Sequence, residues 1–339
     1  MNSISYIILV WIFVLIASIF NHHILKTFSD QEVSHIEEAT IRPLHNERLT
    51  LEELVGSTEN YKCPPNLFLA KDSFAPTDTA GTKRKIPKII HITGKTRCLS
   101  KVFHDIVNSW RFPDHTLVFH DDDAVDRLLF QRHYPEFPHL QTTLRCMVSG
   151  AAKADVWRYL VIWEYGGVYT DLDNLPGELF LRKDVIRDDT DAFFEQEIGM
   201  FPSQYFFAAS PRHPLMYYSM MHALMRLMDV KNVTKLYVPF VTGPGASKSA
   251  MINFIGEGRP GEGIYKGTHN RSVTVVDGNM QPPNKYVYRG GKLRGNRKNI
   301  AYREMNMTHF GEVKSTYKDS CIDLLYEETV LAAAEDGQN

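Results

Sequence analysis

The apolar positions of this chain change period several times, and each change predicts an element. Ile4 to Phe20 is uncharged and almost wholly apolar, and no Lys, Arg, Asp or Glu occurs between Asn2 and Leu25. As a helix at ~1.5 Å per residue the run reaches ~25 Å, a little short of a ~30 Å hydrocarbon core, a gap that tilt and the neutral flanks close. The expected reading is a retained signal-anchor over residues 1–25. A cleaved signal peptide fits less well, because the apolar run exceeds the usual ~7–15 residues and Ala17-Ser18-Ile19 ends in isoleucine where a small residue belongs. Either reading delivers the remainder to a lumen. Residues 26–85 are polar and turn-rich, with Glu37-Glu38, Glu52-Glu53 and Pro64-Pro65, and predict a stem from which Leu67 to Ala70 docks on the domain behind it.

At Ile86 the pattern becomes that of a globular domain, expected to extend to residue 330 before a tail over 331–339. Lys88 to Thr93 and His115 to His120 are β-branched apolar runs that predict buried strands, the first closed by Gly94. Ala124 to His133 has helical spacing, and Asp121-Asp122-Asp123 at its start suits the positive helix end. Gln204 to Ala209 predicts another strand, Leu215 to Met228 a Met-rich helix, Ser247 to Ile255 a shorter helix, and Val273 to Val276 and Tyr286 to Tyr288 further strands. Strand, acidic loop and helix in alternation predict an α/β sheet.

Composition narrows the classes. With 38 Lys+Arg against 40 Asp+Glu and 43% apolar residues, the chain is neither a disordered tail nor a polybasic nucleic-acid binder, and any anion site must be local. Cys63, Cys98, Cys146 and Cys321 allow up to two bridges in three connectivities, or stay free as buried thiols. Sequons at Asn232, Asn270 and Asn306 fit a lumenal domain. Arg289 to Lys298 concentrates five cations in ten residues, read first as a solvated loop and second as a clamp for a diphosphate or acceptor.

The informative block is Ala151 to Asn174. Asp155 and Arg158 are spaced to share one face of a helix that ends at Gly166-Gly167, with Val156, Leu160 and Trp163 on another face. Val168 to Asp173 then alternates, which predicts Tyr169, Asp171 and Asp173 on one face of a strand, the two carboxylates ~7 Å apart along it. Two such anions at a buried strand end need a counter-ion, and oxygen ligands suit Mn²⁺ or Mg²⁺ with substrate phosphates completing the shell. The plainer alternative is a pair of surface aspartates opening a turn at Asn174-Leu175-Pro176-Gly177.

The order Asp-x-x-Arg-Tyr, Tyr-Gly-Gly, strand, Asp-x-Asp resembles glycosyltransferase family 32, whose sugar-binding region contains a DXD motif. Ile86 to His91, Phe112 to Asp122, Ala208 to Pro214 and Thr242 to Gly245 are similar to its flanking blocks, so the resemblance spans about Ile86 to Gly311. It implies a GT-A domain, a Rossmann-like α/β fold behind a membrane anchor, in a single-pass protein of the Golgi or ER membrane. It implies retaining transfer of a hexose, with mannose from GDP-mannose foremost, to a glycan or sphingolipid acceptor. Asp155, Arg158, Asp171 and Asp173 would be catalytic. His91, Thr93, Asp155, Arg158, Tyr159, Gly167 and Asp171 would line the donor, and Asp171, Asp173 and His309 would hold Mn²⁺ or Mg²⁺. Gly94 and His120 depart from the family, standing where many members carry Trp, and Gly311-Glu312-Val313-Lys314 replaces a frequent Gly-Ser-Trp. Two other readings are carried: a haloacid-dehalogenase-like phosphohydrolase with Asp171 as nucleophile, and an anchored sugar-nucleotide-binding protein without turnover.

Overall fold

Each β-branched run forms the strand its pattern predicts, and the way those strands pair decides where the acidic residues meet. The computed structural model describes residues 48–75, 84–145, 147–181, 186–197, 201–228, 238–279, 285–290 and 296–307. The expected anchor, Cys146, Cys321, Asn232 and His309 lie outside these. Among the described residues no helix is long and apolar enough to cross a membrane.

In chain order the elements begin with α1 (Leu51–Val55), β1 (Phe68–Leu69), β2 (Ile89–Thr93), β3 (Cys98–Leu99) and α2 (Lys101–Ser109). Next come β4 (Thr116–His120), α3 (Asp122–Phe130), α4 (Leu140–Arg145), α5 (Gly150–Tyr165), β5 (Gly167–Asp171), β6 (Leu175–Pro176) and α6 (Glu178–Leu181). The remainder is β7 (Ala192–Gln196), β8 (Pro202–Ala209), α7 (Pro214–Met228), α8 (Val238–Val241), α9 (Pro244–Ile255), β9 (Gly263–Lys266), β10 (Ser272–Asp277), β11 (Val287–Tyr288) and α10 (Asn296–Glu304).

Seven strands make one mixed sheet in the order β4-β2-β5-β8-β7-β10-β9. β4, β2 and β5 are parallel, β8 runs against both its neighbours, and β10 is parallel to β7. The carboxyl ends of β2, β4, β5 and β7 and the start of β8 therefore share one edge. Because β4 and β5 flank β2 on opposite sides, the switch point of the sheet falls at that edge between β2 and β5, where Thr93 pairs with Asp171 in register, and in open α/β sheets this is the crevice where ligands bind.

One face of the sheet carries Ile90, Ile92, Leu117, Phe119, Val168 and Phe206 into a core shared with Phe103, Ile106, Val107 and Trp110 of the α2 region. On the other lies α5, which is buried on all sides because α7 and the sheet enclose it. At its C-terminus Gly166 (φ +66°) and Gly167 (φ +104°) turn the chain straight into β5. A Cβ on Gly167 would stand 2.5 Å from the Ile89 carbonyl oxygen, so the close approach of β5 to β2 requires glycine there.

Residues 48–75 pack on the sheet domain. β1 pairs with β3, Cys63 is bridged to Cys98, and Asp72 meets the buried Arg97 at 2.9 Å. Of the connectivities left open by the sequence, this one closes a separation of 35 residues, worth about 4 kcal/mol in a chain-entropy model. The sequons at Asn270 and Asn306 are exposed.

Two predicted details are corrected. The strand does not run to Asp173. It stops at Asp171, and the Asn174 amide donates to the Asp171 carbonyl at 3.1 Å, so Asp173 sits in a tight turn. Leu175-Pro176 is also no turn but the strand β6, paired with β11. Both follow from Asn174, a fully buried anchor. Its Nδ2 donates to the Tyr205 carbonyl at 2.8 Å, its own carbonyl accepts from Trp110 Nε1 at 2.7 Å, and its Oδ1 accepts from the Gly290 amide at 3.2 Å.

Candidate functional site

The crevice edge collects Asp155 and Arg158 from α5, Asp171 from the end of β5 and Asp173 from the turn behind it. Spacing three residues apart on one helix turn brings Arg158 Nη2 to within 3.0 Å of Asp155 Oδ1. Nη1 of the same guanidinium donates to the Gln204 carbonyl at 2.6 Å and lies 3.5 Å from Asp171 Oδ1. Its plane rests on the Tyr169 ring, 4.7 Å from the centroid, and the Tyr169 hydroxyl donates to Asp171 Oδ1 at 2.7 Å. With Nε donating to the Ala154 carbonyl at 3.4 Å, one arginine gathers two carboxylates, two carbonyls and one aromatic face.

The charges are incompletely settled. Burial pushes the Asp155 carboxyl up to about 6 against the pull of Arg158 and of the Thr242 hydroxyl, which donates to Asp155 Oδ2 at 2.7 Å. Asp171 is also raised, by desolvation and by the charge of Asp173, with Arg158 opposing. It sits deep in the crevice, yet a third of its side chain stays open. Tyr302 of α10 completes the wall: burial, then the charges of Asp173 and Asp171, push its hydroxyl upward.

This donor set fits a hard divalent cation. Asp171 and Asp173 supply oxygen ligands, and their mutual repulsion is what a cation between them would relieve. Among the described residues no three His, Cys, Asp or Glu side chains gather as a metal cage, and two carboxylates plus substrate phosphates is the usual pattern for such ions.

Other expected donor contacts are placed elsewhere. His91 is fully buried, with Nε2–H donating to the Gly166 carbonyl at 3.0 Å and Nδ1 accepting from His120 Nε2–H at 3.1 Å. Both rings are held neutral, burial pushing His91 down to about 4. This pair staples β2 and β4 to the Gly166 turn. Tyr159 is also fully buried. Its hydroxyl donates to the Thr242 carbonyl at 3.1 Å and accepts from Ser247 Oγ at 2.9 Å, while Ser247 accepts from Gln204 Nε2 at 2.9 Å. Gly167 answers to the packing of β5 on β2. Thr93 stands at the crevice, half-buried, its hydroxyl donating to the His120 carbonyl at 2.9 Å. In Asp121-Asp122-Asp123 the first carboxylate caps α3, accepting from the Ala124 amide at 3.0 Å.

Three side chains at or beside the crevice carry no signal in the local pattern. Thr242 belongs to a loop 87 residues beyond Asp155, Glu197 follows β7, and Tyr302 comes from α10. Only Thr242 lay in a block singled out by resemblance. Arg289 is paired with Glu197 at 3.3 Å and lies over the Tyr205 ring, 4.6 Å from its centroid.

Fold and site together define an α/β protein with an acidic, arginine-bridged crevice at the carboxyl edge of its sheet. Residues 100–205 match the family model described as glycosyltransferase sugar-binding region containing DXD motif, and with the yeast relatives this match supports a likeness to mannosyltransferases of glycosyltransferase family 32. It is 27% identical over 217 residues to the mannosyl phosphorylinositol ceramide synthase CSH1 of Saccharomyces cerevisiae, covering 58% of this chain and 48% of that protein. It is 29% identical over 150 residues to inositol phosphoceramide mannosyltransferase 1 of Schizosaccharomyces pombe, covering 42% and 44%. Against the initiation-specific alpha-1,6-mannosyltransferase of Candida albicans it is 36% identical over 63 residues, 19% and 16% of the two chains. The chain thus spans about half the length, or less, of these relatives. Among solved structures, the PaToxG glycosyltransferase is a distant likeness, with a TM-score of 0.36 and 16% identity over 50% of this chain and 70% of that one.

Proposed function

We propose that this protein is a metal-dependent retaining glycosyltransferase of GT-A type that transfers mannose from GDP-mannose to a glycan or sphingolipid acceptor. The observation that carries the reading is the convergence of Asp155, Arg158, Asp171 and Asp173 at the crevice edge, inside the segment that matches the DXD family. The activities for which the yeast and fission-yeast relatives are named support mannose and a phosphoinositol-bearing lipid. The Cys63–Cys98 bridge supports an oxidising lumen, and with the apolar N-terminus a Golgi or ER membrane location.

In transfer, the bond from the anomeric carbon to the donor phosphate oxygen breaks with its electron pair. The acceptor hydroxyl bonds to that carbon on the same face, and its proton passes to the departing phosphate oxygen. Arg158 is fixed on its five partners before substrate arrives, so it meets the developing negative charge without reorganising. Asp155 sets the guanidinium's direction. Asp171 and Asp173 would hold a Mn²⁺ or Mg²⁺, which would supply charge neutralisation for the leaving diphosphate. Tyr169 orients Asp171 by its hydrogen bond.

The test offers GDP-mannose, UDP-glucose and UDP-galactose with Mn²⁺ to the detergent-solubilised full chain. GDP-mannose turnover is expected, and Asp173→Ala should reduce it at least ~100-fold with unchanged circular dichroism. Silence across the panel, or an active and folded Asp173→Ala, refutes the proposal.

A further inference from the structure

Beyond the donor-side groups, the crevice edge also carries Glu197, which follows β7 on the opposite side. Its amide donates to the Phe201 carbonyl at 2.7 Å, which fixes it just past the end of β7. The link to the donor side is a single residue. The Gln204 carbonyl accepts from Arg158, and the Gln204 amide points the other way, to Glu197 Oε1 at 3.4 Å. Arg289 approaches Oε2 at 3.3 Å.

These partners underuse the group. A carboxylate has about four acceptor sites, and among the described residues two are engaged, both at long range. Its side chain is 16% exposed whereas that of Arg289 is 65% exposed, so Glu197 is largely withdrawn from water while its counter-ion is not. A pair whose cation is solvated is strongly screened and returns too little to account for burying the anion. Burial, with Asp171 adding to it, raises the carboxyl against the pull of Arg289. Nor is Glu197 placed as a third metal ligand, since among the described residues no such trio gathers. A withdrawn, rigidly mounted carboxylate with open acceptor sites is suited to hydroxyl donors.

We propose that Glu197 binds the acceptor: its carboxylate receives hydroxyls of a polyhydroxylated ring and orients that ring toward the donor held by Asp155, Arg158 and Asp171, with Arg289 as the positioning residue that holds the carboxylate. This rests on the glycosyl-transfer reading above. The ring chemistry is shared by a glycan sugar and by an inositol headgroup, so the experiment carries both.

Full-length wild type, Glu197→Gln, Glu197→Asp and Arg289→Ala are compared with GDP-mannose and Mn²⁺, using methyl α-mannoside in one arm and inositol phosphoceramide in mixed micelles in the other. Glu197→Gln should raise KM for the productive acceptor about tenfold or more, with a smaller fall in kcat and with GDP-mannose affinity by calorimetry held within about twofold. Glu197→Asp should recover part of the loss, and Arg289→Ala should cost less than Glu197→Gln. The arm in which KM moves identifies the source of the ring. An unchanged acceptor KM in both arms, or a parallel loss of GDP-mannose affinity, overturns the assignment while leaving the transferase reading intact. A wild type inert with GDP-mannose in both arms overturns both.

Discussion

Two buried acidic clusters in this protein have the same ingredients and opposite electrostatics. Asp191, ahead of β7, accepts from Arg271 Nε at 2.7 Å and Nη2 at 2.9 Å, from Ser210 Oγ at 2.7 Å and from the Ser272 amide at 3.3 Å. Burial alone would raise its carboxyl. Arg271 and Ser210 outweigh burial and hold it far below the carboxylate range. His213, pushed down to about 3 by burial, stays neutral, donating to the Ser272 carbonyl and accepting from the Leu215 amide. At the crevice Asp155 and Asp171 also face an arginine, yet both remain raised because burial outweighs an Arg158 shared among several partners, with Asp171 adding a like charge beside Asp155 and Asp173 beside Asp171. A satisfied cluster stitches β7, β8 and β10 together. A raised one has the perturbed carboxyls expected of a functional site, in keeping with the cation and diphosphate proposed for it.

Substituting Asp191 is the harshest way to test that contrast. Asp191→Ala leaves Arg271 facing a buried gap and should cost about 3–5 kcal/mol, read as a lower urea midpoint. The depressed carboxyl stabilises the fold above its unfolded pKa, and that contribution is lost as pH falls toward the folded value. The variant's deficit should therefore be full at neutral pH and shrink in acid. A wild-type midpoint would make Asp191 as dispensable as a surface residue.

Asp155→Asn should behave in the opposite sense. The wild-type carboxyl is raised to about 6, so its favourable contribution is complete below the unfolded pKa and disappears as pH rises through about 6. Above that pH the neutral, isosteric amide should leave the melting temperature equal or higher. Function should move the other way, with GDP-mannose affinity down roughly 10- to 30-fold at pH 7.5 from loss of a charged partner of Arg158. In wild type, affinity should decline below about pH 6 as Asp155 takes up a proton, and the variant should lack that limb. A destabilised Asp155→Asn with normal donor affinity would make the two clusters alike.

What was legible in the sequence were the local terms. Spacing put Asp155 beside Arg158, and period-two alternation put Tyr169 and Asp171 on one side of β5. The position of Asp173 was not legible, because alternation cannot reveal that Asn174 is claimed by Trp110 and Gly290, 64 and 116 residues away. The same limit hid Glu197 and Tyr302, whose place depends on β8 running antiparallel beside β5 and on α10 returning to the edge. His91 misled in the other direction. A histidine ending near a crevice reads as a ligand contact, and only the neighbouring His120 shows that both ring nitrogens are already engaged.

The mildest test lies in Thr242, which couples the satisfied and unsatisfied styles within one site. Its backbone carbonyl accepts from Tyr159 at the end of a complete chain of donors from Gln204 through Ser247, while its hydroxyl is spent on Asp155. The loop is held to that position by close packing, since a Cβ on Gly243 would stand 2.6 Å from the Pro239 Cα. A hydrogen bond to the ionised carboxylate favours the charged form, so Thr242→Val should let burial push Asp155 higher still. At about 1 kcal/mol for the bond, the acidic limb of donor affinity should move up by roughly 0.5–1 pH unit, with about fivefold weaker binding near pH 6. Thr242→Ser keeps the hydroxyl and should restore the wild-type limb. If serine shifts the limb as far as valine does, the methyl packing and not the hydrogen bond is what Asp155 depends on, and the carboxylate's readiness for ligand is set by burial alone.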